Sequence, residues 1–161
     1  MMRTLLFFFF LAGLVNVLPA RGHAQDKLSQ VTTGAEAEAL RAYVDGILYF
    51  ENEEYEEALD ALMYAHMKLS DHPGVNFALA DAYLATGDLT NASYYGKIAA
   101  QEAPENKWYH LKLAQIYRSA GRNDATIQAY KTALEYHPGD TDILFQLASA
   151  YVSYGELLEA N

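Results

Sequence analysis

Five histidines, 21 carboxylates and 11 cationic side chains are the groups in this 161-residue chain that could do chemistry, and there is no cysteine. His23, His66, His72, His110 and His137 are scattered. None forms an H-E-x-x-H pair, in which two imidazoles one helical turn apart would hold zinc. His72 and His137 each precede a proline, which places them in loops or at helix ends. Without cysteine there is no thiolate zinc site, iron–sulfur cluster, disulfide, cysteine nucleophile or lipid attached through a thiol. The glycines are dispersed, so no phosphate-cradling loop forms, and no G-x-S-x-G elbow occurs. Glu51-Asn52-Glu53-Glu54-Tyr55-Glu56-Glu57 is the densest acidic run. It lacks the alternating ligands and turn glycine of a calcium loop. It reads instead as a solvated helix start, with Glu54, Glu56 and Glu57 at the positive end of the helix dipole. Asn91-Ala92-Ser93 fits the glycosylation acceptor pattern but falls in an expected helix beside a packing alanine. These groups predict no catalytic residue, no metal ligand and no cofactor, and hence a protein that is not an enzyme.

The formal charge is −10, and every Asp and Glu lies after residue 25. Without residues 1–24 the chain would carry 9 basic and 21 acidic side chains, a charge of −12. Such a surface repels phosphate backbones, which excludes nucleic-acid binding by phosphate neutralisation. The length suits one ordinary domain.

The elements that would position these groups recur. Tyr49, Tyr83, Tyr117 and Tyr151 are each 34 residues apart. Three residues before them stand Gly46, Ala80, Ala114 and Ala148; four after them, Glu53, Gly87, Gly121 and Gly155. Nine after them come Ala58, Ala92, Thr126 and Ala160. Ala65, Ala99 and Ala133 keep the same step, and so do Pro104 and Pro138. Apolar residues recur three and four apart from Leu40 to Phe50 and from Ala58 to Leu69, the helical period. Gly87-Asp88 and Gly121-Arg122-Asn123-Asp124 break helical runs, and the prolines close units. A lone pair of such helices cannot bury its apolar face, so the pairs must stack.

These columns resemble the tetratricopeptide repeat, a 34-residue helix–turn–helix unit. The pattern is clearest in Leu79-Ala80-x-x-Tyr83-x-x-x-Gly87-x-x-x-x-Ala92 and in Leu113-Ala114-x-x-Tyr117-x-x-x-Gly121. Units fall at 39–72, 73–106 and 107–140, with a partial fourth at 141–161, behind a lead-in at 25–38. The resemblance implies an all-α, right-handed α-solenoid of about seven antiparallel helices and the start of an eighth. Departures are the unit starts, where Ala42, Asn76, His110 and Leu144 replace an aromatic, and Glu53, Ser70, Gly96 and Thr126 in place of a turn glycine, a closing proline, a bulky residue and a packing alanine.

In proteins of that family the first helix of each unit lines a concave groove that grips an extended peptide or a partner's helix. Matched position by position, the groove set is Leu40, Tyr43, Ile47 and Phe50; Phe77, Asp81 and Leu84; Trp108, Leu111, Gln115 and Arg118; Phe145, Ser149 and Val152. Tyr43, Phe77 and Phe145 share one column with Trp108 near it, an aromatic stripe expected inside an acidic rim. The alternative is that these rings are buried between helices. Chaperone adaptors of the family clamp a terminal carboxylate with Lys, Asn and Arg. Tyr43, Ile47, Phe77 and Asp81 stand there instead, and Arg118 alone is too little.

Met1-Met2-Arg3-Thr4 followed by the uncharged run Leu5 to Val15, Pro19 and the small exit Gly22-His23-Ala24 has the layout of a secretory signal peptide spanning 1–24. Cleavage is expected after Ala24, or after Ala20. The apolar run is shorter than the roughly 20 residues of a spanning helix, so no membrane span is expected after cleavage. The sequence therefore predicts an exported protein–protein interaction scaffold, periplasmic or envelope-associated, with extracellular release open. The competing reading is the N-terminal recognition module of a longer envelope enzyme or sensor.

Overall fold

A positive backbone φ at three positions 34 residues apart closes three helix hairpins. The computed structural model describes residues 34–159, with side chains through Gly155. The signal segment, its cleavage positions and residues 25–33 lie outside the described residues. The described residues form seven helices and no strand: α1 Gly34–Glu51, α2 Tyr55–His66, α3 Pro73–Ala85, α4 Leu89–Glu102, α5 Lys107–Ser119, α6 Asn123–Tyr136 and α7 Thr141–Glu159. This is an all-α helical-repeat solenoid.

Glu53, Gly87 and Gly121 hold φ of 63°, 80° and 66°. The N–H groups that follow them, on Glu54, Asp88 and Arg122, donate to the carbonyls of Tyr49, Tyr83 and Tyr117 at 2.9, 2.9 and 2.8 Å. Those of Glu53, Gly87 and Gly121 donate to Phe50, Leu84 and Arg118 at 3.0, 3.1 and 3.0 Å. This pair of bonds is the Schellman closure, which satisfies carbonyls that a helix end leaves open. The tyrosine column thus supplies the accepting carbonyl at each turn.

A second column starts the first helix of each later unit. His72 Nδ1 accepts from the Val75 N–H at 3.2 Å, Asn106 Oδ1 from Trp108 at 3.1 Å, and Asp140 Oδ1 from Asp142 and Ile143 at 3.0 and 3.2 Å. Each satisfies orphan donors of the helix it precedes. Asn76 and His110, which replace the expected aromatic, are buried and reach back six residues. Asn76 donates to the Ser70 carbonyl at 2.7 Å and His110 Nε2 to that of Pro104 at 2.8 Å. A carbonyl only accepts, so this His110 nitrogen carries the proton.

Each helix packs on its chain neighbours. Small residues set the approach: Ala58, Ala65, Ala80, Ala92, Ala99 and Ala114 are wholly buried. Gly96 lets α5 close in, since a Cβ there would lie 3.2 Å from Ile116 Cδ1. Thr126 is buried in the place of an alanine, with its hydroxyl donating to the Arg122 carbonyl at 3.1 Å.

Two expectations need correction. α1 begins at Gly34, inside the segment read as a lead-in, because Ala35-Glu36-Ala37-Glu38 are good helix formers. α7 runs unbroken from Thr141 to Glu159 through Gly155, so no eighth helix starts at Glu156. Gly87 is followed by the capping Asp88, whereas Gly155 is followed by Glu-Leu-Leu-Glu, which favours helix continuation. No described helix is long and apolar enough to cross a membrane.

Candidate functional site

The first helices of the units, α1, α3, α5 and α7, share one face, and three adjoining depressions run along it. The central one, about 600 Å³, is bordered by Tyr43, Phe77, Trp108, Leu111, Gln115 and Arg118. A second, about 200 Å³, continues over Tyr43, Ile47, Phe50, Phe77 and Asp81. A third, about 420 Å³, extends from Trp108 and Leu111 to Phe145. Shared residues join them into one groove. Leu40, Leu84, Ser149 and Val152 do not border these depressions, and Leu84 packs against the buried core.

The rings are held at different depths. Tyr43 lies half-buried against His72, with centroids 5.5 Å apart, and its hydroxyl faces the bare Cα of Gly74, where a Cβ would come within 2.8 Å. Phe77 meets Tyr109 at 4.9 Å. Trp108 and Phe145 project into solvent, 63% and 74% exposed. Burial pushes the Tyr43 and Tyr109 hydroxyls above their ordinary pKa, so both remain protonated donors at neutral pH.

Glu51 and Asp142 border the two flanking depressions, whereas the central one is lined by cations. Lys112 lies in the central depression beside Arg118. Its ammonium pairs with Asp81 at 2.5 Å and lies 5.7 Å from the Phe77 ring centroid. Lys107 pairs with Asp140 at 2.7 Å and lies 5.1 Å from the Trp108 centroid. Asp81, expected to face a partner, is therefore occupied. Burial raises its carboxyl pKa, and Lys112 opposes that shift. Arg118 makes no ion pair among the described residues and is exposed. The groove centre is aromatic, with Lys112 paired to Asp81 of the preceding unit and Arg118 left as its unpaired cation.

Lys112, Tyr109 and the buried Tyr130, whose hydroxyl donates to Gln146 at 3.1 Å, were not in the sequence-derived set. Lys112 could have been found, since it stands four residues after Trp108 on the same helical face. Asn91 is engaged: its side-chain amide donates to Asp88 at 2.7 Å. Among the described residues no three His, Asp or Glu side chains gather as metal ligands.

Residues 117–160 match the tetratricopeptide repeat family. No curated protein matches the chain. Among solved structures, the first TPR of Spaghetti (RPAP3) bound to the HSP90 peptide SRMEEVD is similar, with TM-score 0.66 at 17% identity over 74% of this chain and 98% of that one. The Sgt2 TPR domain from Aspergillus fumigatus gives 0.68 at 18% identity over 76% and 82%. MamA AMB-1 gives 0.65 at 22% identity over 83% and 73%. The fold is that of tetratricopeptide-repeat domains.

Proposed function

We propose that this protein is a non-catalytic scaffold that holds an extended or helical segment of a partner protein in the groove formed by α1, α3, α5 and α7. The observation that carries this reading is the groove itself, in which aromatic rings from four units line one continuous channel. Rings that remain exposed while others anchor them are suited to bury a partner's apolar side chains. One similar domain is described as bound to an acidic peptide, which supports the peptide-binding reading by analogy of fold. Arg118 beside the aromatic centre favours a segment with apolar anchors and a carboxylate near them.

The proposal includes export, on the layout of residues 1–24 alone. Intact mass of the processed product should begin at Gln25, or at Arg21. A chain retaining Met1 to Ala24 in the membrane fraction would sink that part.

Trp108 is the only tryptophan and lies in the groove, so its emission reports occupancy. Peptides selected from a displayed library on the immobilised protein should shift that emission on titration. Phe77→Ala should weaken them by roughly thirtyfold, the usual loss of about 2 kcal/mol for a central anchor. Tyr94→Ala, at an exposed position on α4, should leave binding unchanged. Selected peptides that bind without altering Trp108 emission, and that tolerate Phe77→Ala, would place the binding surface elsewhere.

A further inference from the structure

The second helices carry a different feature on the other face of α5. A step of 34 residues takes Met63 to Lys97, His66 to Ala100 and Tyr95 to Ala129. Where α2 meets α4, the first residues of these three pairs form one cluster. The Tyr95 hydroxyl donates to Met63 Sδ at 3.3 Å, and His66 meets the Tyr95 ring in a T-shape with centroids 5.2 Å apart. Tyr95 also stacks on Tyr83, 5.6 Å between centroids and 2° between planes. Where α4 meets α6, both rings have become methyl groups. What remains is a pit of about 580 Å³ whose walls include Ala100, Ala129, Leu113, Tyr117, Lys97 and Thr132. The loss reaches the floor: Leu79 is wholly buried under the first cluster, whereas its counterpart Leu113 is 7% exposed. The pit takes Leu113 and Tyr117 from α5, and the groove takes Trp108, Leu111 and Gln115, so the two sites use different sides of that helix.

We propose that this pit is a docking site for the phenol ring of a tyrosine presented by a partner protein, separate from the groove. The fold shows what fills this place one unit earlier, namely a tyrosine ring. Tyr117 stands in the column of Tyr83, the residue on which that ring stacks. Lys97 stands in the column of Met63, where the hydroxyl ends. An ammonium there donates to the phenol oxygen, which a phenylalanine ring lacks. Charge agrees. No carboxylate lines the pit, Lys97 makes no ion pair among the described residues, and the Arg122 guanidinium lies 4.7 Å from the Tyr117 centroid. In a chain of net charge −10 this is a local positive field, suited to an oxygen-bearing ring.

The test uses methyl NMR of the protein with acetyl-Gly-Tyr-Gly-amide as the probe and its phenylalanine counterpart as the comparison. The tyrosine probe should shift the Ala100, Leu113 and Ala129 methyls saturably, and bind about threefold more tightly than the phenylalanine probe, the scale of one net hydrogen bond. Lys97→Leu, at an exposed position, should erase that preference while leaving ring binding. Ala129→Tyr should fill the pit from within, raise Tm, and abolish the shifts. Equal binding of the two probes, shifts away from these methyls, or an Ala129→Tyr protein that melts earlier or fails to fold would each overturn the proposal. Shifts at the same methyls produced by raising protein concentration alone would assign the pit to a second copy and overturn the partner reading. Because the readout is at the pit, failure here leaves the groove reading standing.

Discussion

Glu53 holds φ at 63° in the turn where the next two hairpins use glycine. A side chain in that left-handed region is strained by roughly 1–2 kcal/mol. Glycine relieves the strain but loses more entropy on folding, so the net gain is smaller than the strain. Glu53→Gly should therefore raise stability by about 0.5–1 kcal/mol, read as a higher urea midpoint at unchanged slope. An unchanged or lower midpoint would mean that the first turn differs from the other two. Asp140 combines two roles, capping α7 and pairing with Lys107. The Lys107 ammonium, then the Ile143 N–H, hold its carboxyl below its ordinary 3.8. The ionised form is thus favoured in the folded state, so its stabilisation is complete above the ordinary carboxylate range and is lost as pH falls through the lowered value. Asp140→Asn keeps a capping oxygen and loses the charge. It should lower the urea midpoint at pH 7 and flatten the further loss as pH falls below the ordinary carboxylate value of 3.8. Asp81 contributes in the opposite sense, because burial raises its pKa. A wild-type acid profile unchanged by Asp140→Asn would show that the Lys107 pair contributes nothing.

The turns and the helix starts were legible as elements because their signals are local. Gly87-Asp88 carries a left-handed residue and a cap within two positions, and Pro73 at the first turn of α3 announces a helix start. The end of α7 was not legible. Gly155 occupies the turn column, yet a turn there needs a following helix to pack back, and Glu156 onward satisfies the helix without one. Inside a helix, glycine costs about 1 kcal/mol relative to alanine, and a Cβ at Gly155 would meet nothing within 4 Å. Gly155→Ala should therefore raise helical content and stability by up to about 1 kcal/mol. At Gly87, where φ is 80°, the same change should destabilise. If both substitutions destabilise alike in thermal melts followed by circular dichroism, Gly155 is a turn and the register of the last element is wrong.

At the scale of the whole molecule, the 34-residue step set which helix faces could line a groove, and that much was present in Tyr43, Phe77 and Phe145 standing in one column. The charge of the groove was not. Asp81 reads as a free acid in the sequence because its partner Lys112 belongs to the next unit, and Lys107, at the start of α5, reaches Asp140 at the far end of its own unit, where it caps α7. Such pairs depend on how far successive first helices approach, which spacing along the chain does not specify. Once those four charges are paired, Arg118 is the charge left unpaired in the central depression, while Glu51 and Asp142 stand in the flanking ones. An exposed cation at the rim acts mainly on encounter, whereas a buried anchor acts on dissociation. Arg118→Glu should slow association of an acidic, aromatic-anchored peptide and reduce the salt dependence of its on-rate, with a smaller change in off-rate. Phe77→Ala should do the reverse, speeding dissociation and leaving the salt slope intact. Stopped-flow traces of Trp108 emission at 50 and 300 mM salt would separate the two. If Arg118→Glu instead changes only dissociation, the guanidinium contacts the bound segment directly, and the partner carries an acid within the groove.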